Sequence, residues 1–158
     1  MRVVISGGGL AGLTATLRAA ELGAQVTLLE KGDSPGGSFI YSSGYVWSYA
    51  DLPTFRGEAP GGDPSLQRLV LERLGSCLTW LEGAGGELLA RETGNPLTFG
   101  ARFDPERTVS ALVERLEASG GEVFTDTAFE ALREDDAGRV TGVLARSSGG
   151  SRSMVPTP

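Results

Sequence analysis

Three glycines near the start of the chain, Gly7, Gly9 and Gly12, stand as G-x-G-x-x-G directly after Val3-Val4-Ile5. This spacing suits a pyrophosphate. The first glycine permits a tight turn, the second lets phosphates approach the backbone, and the third lets a helix pack closely on a strand. Gly8, Leu10 and Ala11 complete the turn, and the helix that follows offers unpaired N–H groups and a dipole that favour negative charge. Glu30 lies about 20 residues on, where a carboxylate accepts hydrogen bonds from the ribose of an adenosine moiety and disfavours a 2′-phosphate. By itself the glycine pattern would also serve any tight strand-to-helix turn; the acidic residue gives it a nucleotide-binding context.

The elements that must position these residues follow from the hydrophobic pattern. Val3-Val4-Ile5 reads as a strand buried on both faces, residues 10–22 as an alanine- and leucine-rich helix stopped by Gly23, and residues 24–30 as a second strand. Together they make one βαβ unit. From Lys31 to about Pro64 no period is sustained, and the stretch reads as an ordered loop, its aromatics Phe39, Tyr41, Tyr45, Trp47 and Tyr49 arguing against disorder. Leu66, Leu69, Val70, Leu74, Cys77, Leu78 and Leu81 recur at helical spacing over residues 65–81, which makes Cys77 a small buried hydrophobe and Trp80 a packing residue. Residues 83–100 suggest turns around one or two short strands. Asp104-Pro105-Glu106 caps another helix, with Val109, Leu112, Val113 and Leu116 on one face and Gly120-Gly121 as its stop. Residues 122–135 and 140–146 read as a β-hairpin.

The expected fold is therefore α/β: a Rossmann-like dinucleotide-binding fold with a central parallel sheet, a hairpin or meander, and flanking helices. It would occupy residues 1–146, apparently incomplete, with 147–158 as a flexible tail. Other classes are disfavoured. The net charge of -6 and scattered arginines do not suit nucleic acid, and no apolar run is long enough to span a bilayer. Histidine is absent and Cys77 is the one cysteine, which excludes a zinc site and a Ser/His/Asp triad and fits the cytoplasm.

After Glu30 the chain runs "KGDSPGGSFIYSSGYVW", with Gly36-Gly37-Ser38 and then Ser42-Ser43-Gly44 before Val46-Trp47. This stretch resembles FAD-dependent oxidoreductases of the fumarate reductase and succinate dehydrogenase flavoprotein type, including the 3-ketosteroid dehydrogenase branch. The resemblance implies FAD, with Gly7 to Gly12 at its pyrophosphate and the Glu30-Lys31 pair at its adenosine ribose. It further implies that Gly37, Ser38, Ser42, Ser43 and Gly44 pass beside the phosphates, ribityl chain and isoalloxazine. Ser43 and Tyr45 depart from positions where the family often has glycine, and each serine could equally be a turn residue bonding its own backbone. A looser match over residues 111–146 implies an adenine contact near Thr127 or Ala128.

In that family an Ala-Thr-Gly-Gly strand, a substrate-capping domain and a returning segment follow, and they supply most of the catalytic groups. The resemblance therefore assigns no catalytic residue here, and Arg91, Arg102 and Arg107 read as solvated or structural. It implies the FAD-binding portion of an enzyme acting on a small-molecule substrate at a CH-CH bond next to a carbonyl or carboxylate. The alternatives are a non-catalytic dinucleotide-binding module or truncated product, and a small NAD-binding protein. An incomplete sheet would also favour self-association.

Overall fold

The structure, a computed structural model, describes residues 1–156. In chain order its elements are β1 (Arg2–Ser6), α1 (Leu10–Glu21), β2 (Gln25–Leu29), β3 (Tyr45–Tyr49), α2 (Leu52–Glu58), α3 (Pro64–Gly83), β4 (Leu88–Ala90), β5 (Thr98–Phe103), α4 (Pro105–Ala118), β6 (Glu122–Phe124), β7 (Thr127–Glu134), β8 (Val140–Ser147) and β9 (Arg152–Pro156). They divide into two compact units, Met1–Ile40 with the chain from Val109 onward, and Tyr41–Thr108.

The first unit is built on a parallel sheet in the order β1-β2-β6, with Val4 beside Thr27 and Thr27 beside Glu122. β2 is the middle strand, and its Val26, Thr27, Leu28 and Leu29 are all buried. β1 departs from its expected burial on both faces: Val3, Val4 and Ile5 are half-buried because no strand pairs with its outer edge among the described residues. Helix α1 lies on β1 and β2 and buries Leu13, Thr16 and Leu17, the i, i+3, i+4 set of one helix face. Each of the two leucines contributes about 1.5–3 kcal/mol by leaving water. The Thr16 hydroxyl, fully buried, donates back to the Gly12 carbonyl at 2.7 Å and so leaves no unmet polar group.

A three-stranded antiparallel meander, β7-β8-β9, completes this unit. Val143 and Ala145 of β8 pack with Leu29 of β2, joined by Val4 and Val155, so the meander is held to the parallel sheet by an apolar seam. The stretch 147–158, expected as a tail, contains a strand: Arg152–Pro156 pairs with β8 along five registered residues. Composition hid it because serine and glycine surround a short Met154-Val155 core. Arg146 and Arg152 stand directly opposite each other, and Glu130 bridges both at 2.7 and 2.8 Å, cancelling a like-charge pair. Thr157 and Pro158, the rest of that stretch, lie outside the described residues.

The second unit holds an antiparallel sheet in the order β3-β5-β4, with α3 packed on β3 and β5 and α2 against β3 and α3. Of these elements β3 and α2 replace the expected loop. β3 carries its aromatics Tyr45 and Trp47 outward and Ser48 inward, so no apolar-in, polar-out alternation marks it as a strand. Helix α2 begins where the Asp51 carboxylate accepts from the Thr54 N–H at 2.8 Å; α3 begins where Asp63 accepts from Ser65 and Leu66 at 2.7 and 3.0 Å. The Thr54 N–H and hydroxyl hold the Asp51 carboxyl below its ordinary range, so this cap persists above the unfolded value and is lost as pH falls through the lowered one.

On α3 the buried side chains are Gln67, Leu74 and Leu81, one per two turns. Leu66, Leu69, Val70 and Cys77 are exposed, which corrects both the width of the expected stripe and the burial of its cysteine. Gln67 replaces a hydrophobe because it donates to the Ala59 carbonyl at 2.8 Å and accepts from Arg56 at 3.3 Å, tying α2 to α3. Leu74→Ala is accordingly expected to cost about 2–4 kcal/mol and Leu69→Ala less than about 0.5 kcal/mol, measured by urea unfolding. Comparable costs for the two would mean that the wider sequence stripe is the buried one.

Candidate dinucleotide site

The spacing of the glycine turn has a steric cause. A Cβ on Gly12 would lie 1.8 Å from the Gly7 carbonyl oxygen, so α1 can begin this close to β1 only with hydrogen at that position. Gly7 itself adopts φ +102°, a conformation that side chains resist, and donates its N–H to the Leu29 carbonyl at 2.7 Å. Gly9 is the N-cap of α1 and accepts from the Leu13 N–H at 2.9 Å. No side chain caps this helix and no acidic residue sits in its first turn, so Leu10, Ala11 and Gly12 present an N-terminus suited to an anion.

Glu30 lies just past β2 and is 8% exposed. Its Oε2 accepts from the Gly8 N–H at 2.6 Å and its Oε1 from the Gly32 N–H at 2.7 Å. The carboxylate therefore spans the glycine turn on one side and the loop after β2 on the other. A carboxylate has about four lone-pair positions, so acceptor capacity remains for ribose hydroxyls. Its own backbone is fixed as well, N–H to the Phe124 carbonyl and carbonyl to the Thr127 N–H, both at 2.8 Å.

Two further segments converge here. Gly36 donates to the Gly8 carbonyl at 2.7 Å, and Gly37, at φ +54°, would bring a Cβ within 3.1 Å of the Gly9 Cα. Ser38 follows, exposed, in the short 3-10 turn Gly37–Phe39. On the meander side, Thr127, Ala128 and Phe129 join Ser6, Gly7, Glu30 and Lys31 around a cleft of about 220 Å³. The first unit thus brings together Gly7, Gly8, Gly9, Leu10, Ala11, Gly12, Glu30, Lys31, Gly37, Ser38 and Ala128. Gly36 was part of the quoted motif without a role of its own, and Gly32 and Phe129 were not singled out from the sequence. The Pro-Gly-Gly run carried a signal for Gly36, whereas nothing local distinguishes Phe129.

Ser42, Ser43 and Gly44 belong to the second unit. The Ser42 hydroxyl accepts from the Gly44 N–H at 3.0 Å, the local turn that serine favours. Gly44 sits at φ +81°, and a Cβ there would lie 1.9 Å from the Phe103 carbonyl oxygen. Among the described residues no three His, Cys, Asp or Glu side chains cluster as metal ligands.

Residues 2–157 match the family described as FAD dependent oxidoreductase. The chain belongs to that family. It is 33% identical over 146 residues to a probable electron transfer flavoprotein-quinone oxidoreductase of Escherichia coli K12, covering 90% of this chain and 31% of the relative. In fold it is similar to 3-ketosteroid-Δ4-(5α)-dehydrogenase from Rhodococcus jostii RHA1, with a TM-score of 0.78 and 21% identity over 98% of this chain and 43% of that one. A flavocytochrome c3 fumarate reductase superposes with a TM-score of 0.80 and 23% identity, over 98% of this chain and 32% of that one. The chain thus spans about a third of the curated relative. The expected resemblance and Rossmann-type fold are borne out, and FAD is the cofactor of the family.

Two substitutions separate architecture from recognition. Gly12→Ala is expected to abolish flavin retention and to destabilise the fold by about 2 kcal/mol or more, because backbone must move to admit the methyl group. Glu30→Gln turns an amide N–H toward one of two backbone donors, with an expected loss of about 1–3 kcal/mol in the cofactor-free protein by thermal unfolding. An unchanged midpoint would mean that the carboxylate does not brace the loops.

Proposed function

We propose that this chain is the FAD-binding portion of a dehydrogenase or reductase acting on carbon–carbon bonds next to a carbonyl or carboxylate. The observation that carries the reading is Glu30, a buried carboxylate anchored by two backbone donors at the mouth of a cleft that also meets the glycine turn. The residues present fit the cofactor. Gly7 to Gly12 and Gly37 make a surface free of side chains for the pyrophosphate, with Leu10 and Ala11 at the helix N-terminus opposing its charge. Glu30 takes the ribose hydroxyls, Lys31 borders the adenosine, and Ala128 with Thr127 lays backbone against the adenine.

The family resemblance assigns Ser38 in the first unit, and Ser42, Ser43 and Gly44 in the second, to the ribityl chain and ring; Gly44 itself is required by the Phe103 carbonyl oxygen, which a Cβ would meet. When bound, FAD supplies hydride exchange at its N5. The chain's part is to bind, orient and shield. We assign no proton donor, so the fragment alone is expected to hold flavin without turnover, and a non-catalytic binding module remains the second reading.

The test is reconstitution with FAD, desalting and a visible spectrum. Retained, perturbed flavin absorbance that disappears in Glu30→Arg supports the reading; a colourless, folded wild type overturns it. We also propose self-association through the outer edge of β1, whose backbone groups have no partner strand among the described residues. Apparent mass in size-exclusion runs should rise with loading concentration, and an invariant monomer peak would refute this.

A further inference from the structure

The outward face of β3 and β5 carries a constellation that the dinucleotide site does not use. The strands pair antiparallel with Tyr45 opposite Arg102 and Trp47 opposite Gly100. Directly opposite residues share a face, so Tyr45, Trp47 and Arg102 stand together, whereas Ser48 is buried on the other side. The Arg102 Cζ lies 5.6 Å from the Tyr45 ring centroid, and its Nε donates to the Ser43 carbonyl at 2.9 Å. The guanidinium is therefore held at two points.

Two other arginines of this unit are neutralised: Arg91 pairs with Glu82 at 2.7 Å and Arg107 with Glu87 at 2.8 Å. Arg102 has no carboxylate partner among the described residues, although the chain as a whole carries a net charge of -6. A planar fork fixed at Nε, with its Nη groups open, is preorganised for a carboxylate. Beside it lies exposed apolar surface whose rings contact one another. Tyr45 and Trp47 are 39% and 48% exposed. The indole meets Tyr49 edge-on at 5.5 Å, and Tyr49 in turn meets Phe55 at 5.2 Å. Gly100, opposite Trp47, has no room for a side chain, since its Cβ would lie 2.6 Å from the Trp47 Cβ and 2.4 Å from the Val46 carbonyl oxygen.

We propose that this strand face binds an organic carboxylate with a flat apolar body, the carboxylate on Arg102 and the body against Tyr45 and Trp47. Positions two residues apart on a strand are separated by about 6.6 Å, which suits a carboxylate joined to its ring by a short two-carbon spacer. The inference rests on the proposed function at one point only: Ser43, whose carbonyl accepts from Arg102, belongs to the segment which that reading assigns to the flavin.

The test is intrinsic fluorescence of the full chain titrated with 3-phenylpropionate, using 3-phenylpropionamide as the uncharged counterpart and a Trp80→Phe background to isolate Trp47. A saturable change is expected with the acid, at least tenfold weaker binding of the amide, and at least tenfold weaker binding of the acid to Arg102→Gln, with an intermediate loss in Arg102→Lys. Equal binding of acid and amide, an unaltered Arg102→Gln, or no saturable change in the Trp80→Phe background would overturn the proposal. If Arg102→Gln does not fold, the acid and amide comparison on unaltered Arg102 decides alone. Flavin retention, read separately, distinguishes the failures: acid binding without flavin retention overturns the proposed function and leaves the carboxylate site standing.

Discussion

The carboxylate of Glu30 is the point at which the nucleotide-binding half of this protein is tied together. It accepts from Gly8 in the turn before α1 and from Gly32 in the loop after β2, each at under 3 Å. It adds to the backbone bonds from Gly36 to the Gly8 carbonyl and from Asp126 to the Gly32 carbonyl in defining two segments rich in glycine, a residue that contributes no side-chain packing and has the largest backbone entropy to lose. Burial strengthens the arrangement, because hydrogen bonds to an ionised group in a low-dielectric setting are stronger than those at the surface. The group that orders this loop is also the one proposed to meet a ribose, so the proposed recognition draws on the same side chain as the structure.

Steric exclusion supports that electrostatic tie. Gly12 must lack a Cβ for α1 to start against Gly7, and Gly37 runs so close to Gly9 that a Cβ on it would lie 3.1 Å from the Gly9 Cα. The sheet beneath is correspondingly stiff at its middle strand, where β2 is buried along nearly its whole length, and the meander is pinned to it through Leu29, Val143 and Ala145. A ligand would therefore meet a preformed surface and forgo most of the cost of ordering the protein on binding.

The second unit uses polar side chains where the first uses glycine. Gln67 and Arg56 link α2 to α3, Asp51 and Asp63 start the two helices, and the Thr108 hydroxyl accepts from the Glu87 N–H at 3.1 Å. Few of these residues advertise themselves, which is why this region reads as a loop followed by a conventional amphipathic helix. The apolar residues Leu66, Leu69 and Val70 follow helical spacing faithfully and yet remain exposed.

What the sequence determined by itself were the features set by local sterics and local periodicity: the glycine turn, α1 with its Leu13 and Leu17 face, the buried β2, the acidic residue at its end, and α4 with Val109, Leu112 and Leu116 buried. These depend on neighbours a few residues apart, and short-range physics writes them directly into residue type and spacing. Tertiary structure alone decided that β1 is an edge strand, that β3 exists, that Arg152–Pro156 pairs with β8, and that Phe129 lines the cleft with Glu30. Each of those depends on a partner far along the chain, across a ladder whose register no single strand can specify. Cys77 shows the same limit from the other side, since its place on an apolar stripe was legible, whereas its exposure follows from which part of that stripe the sheet of β3 and β5 covers.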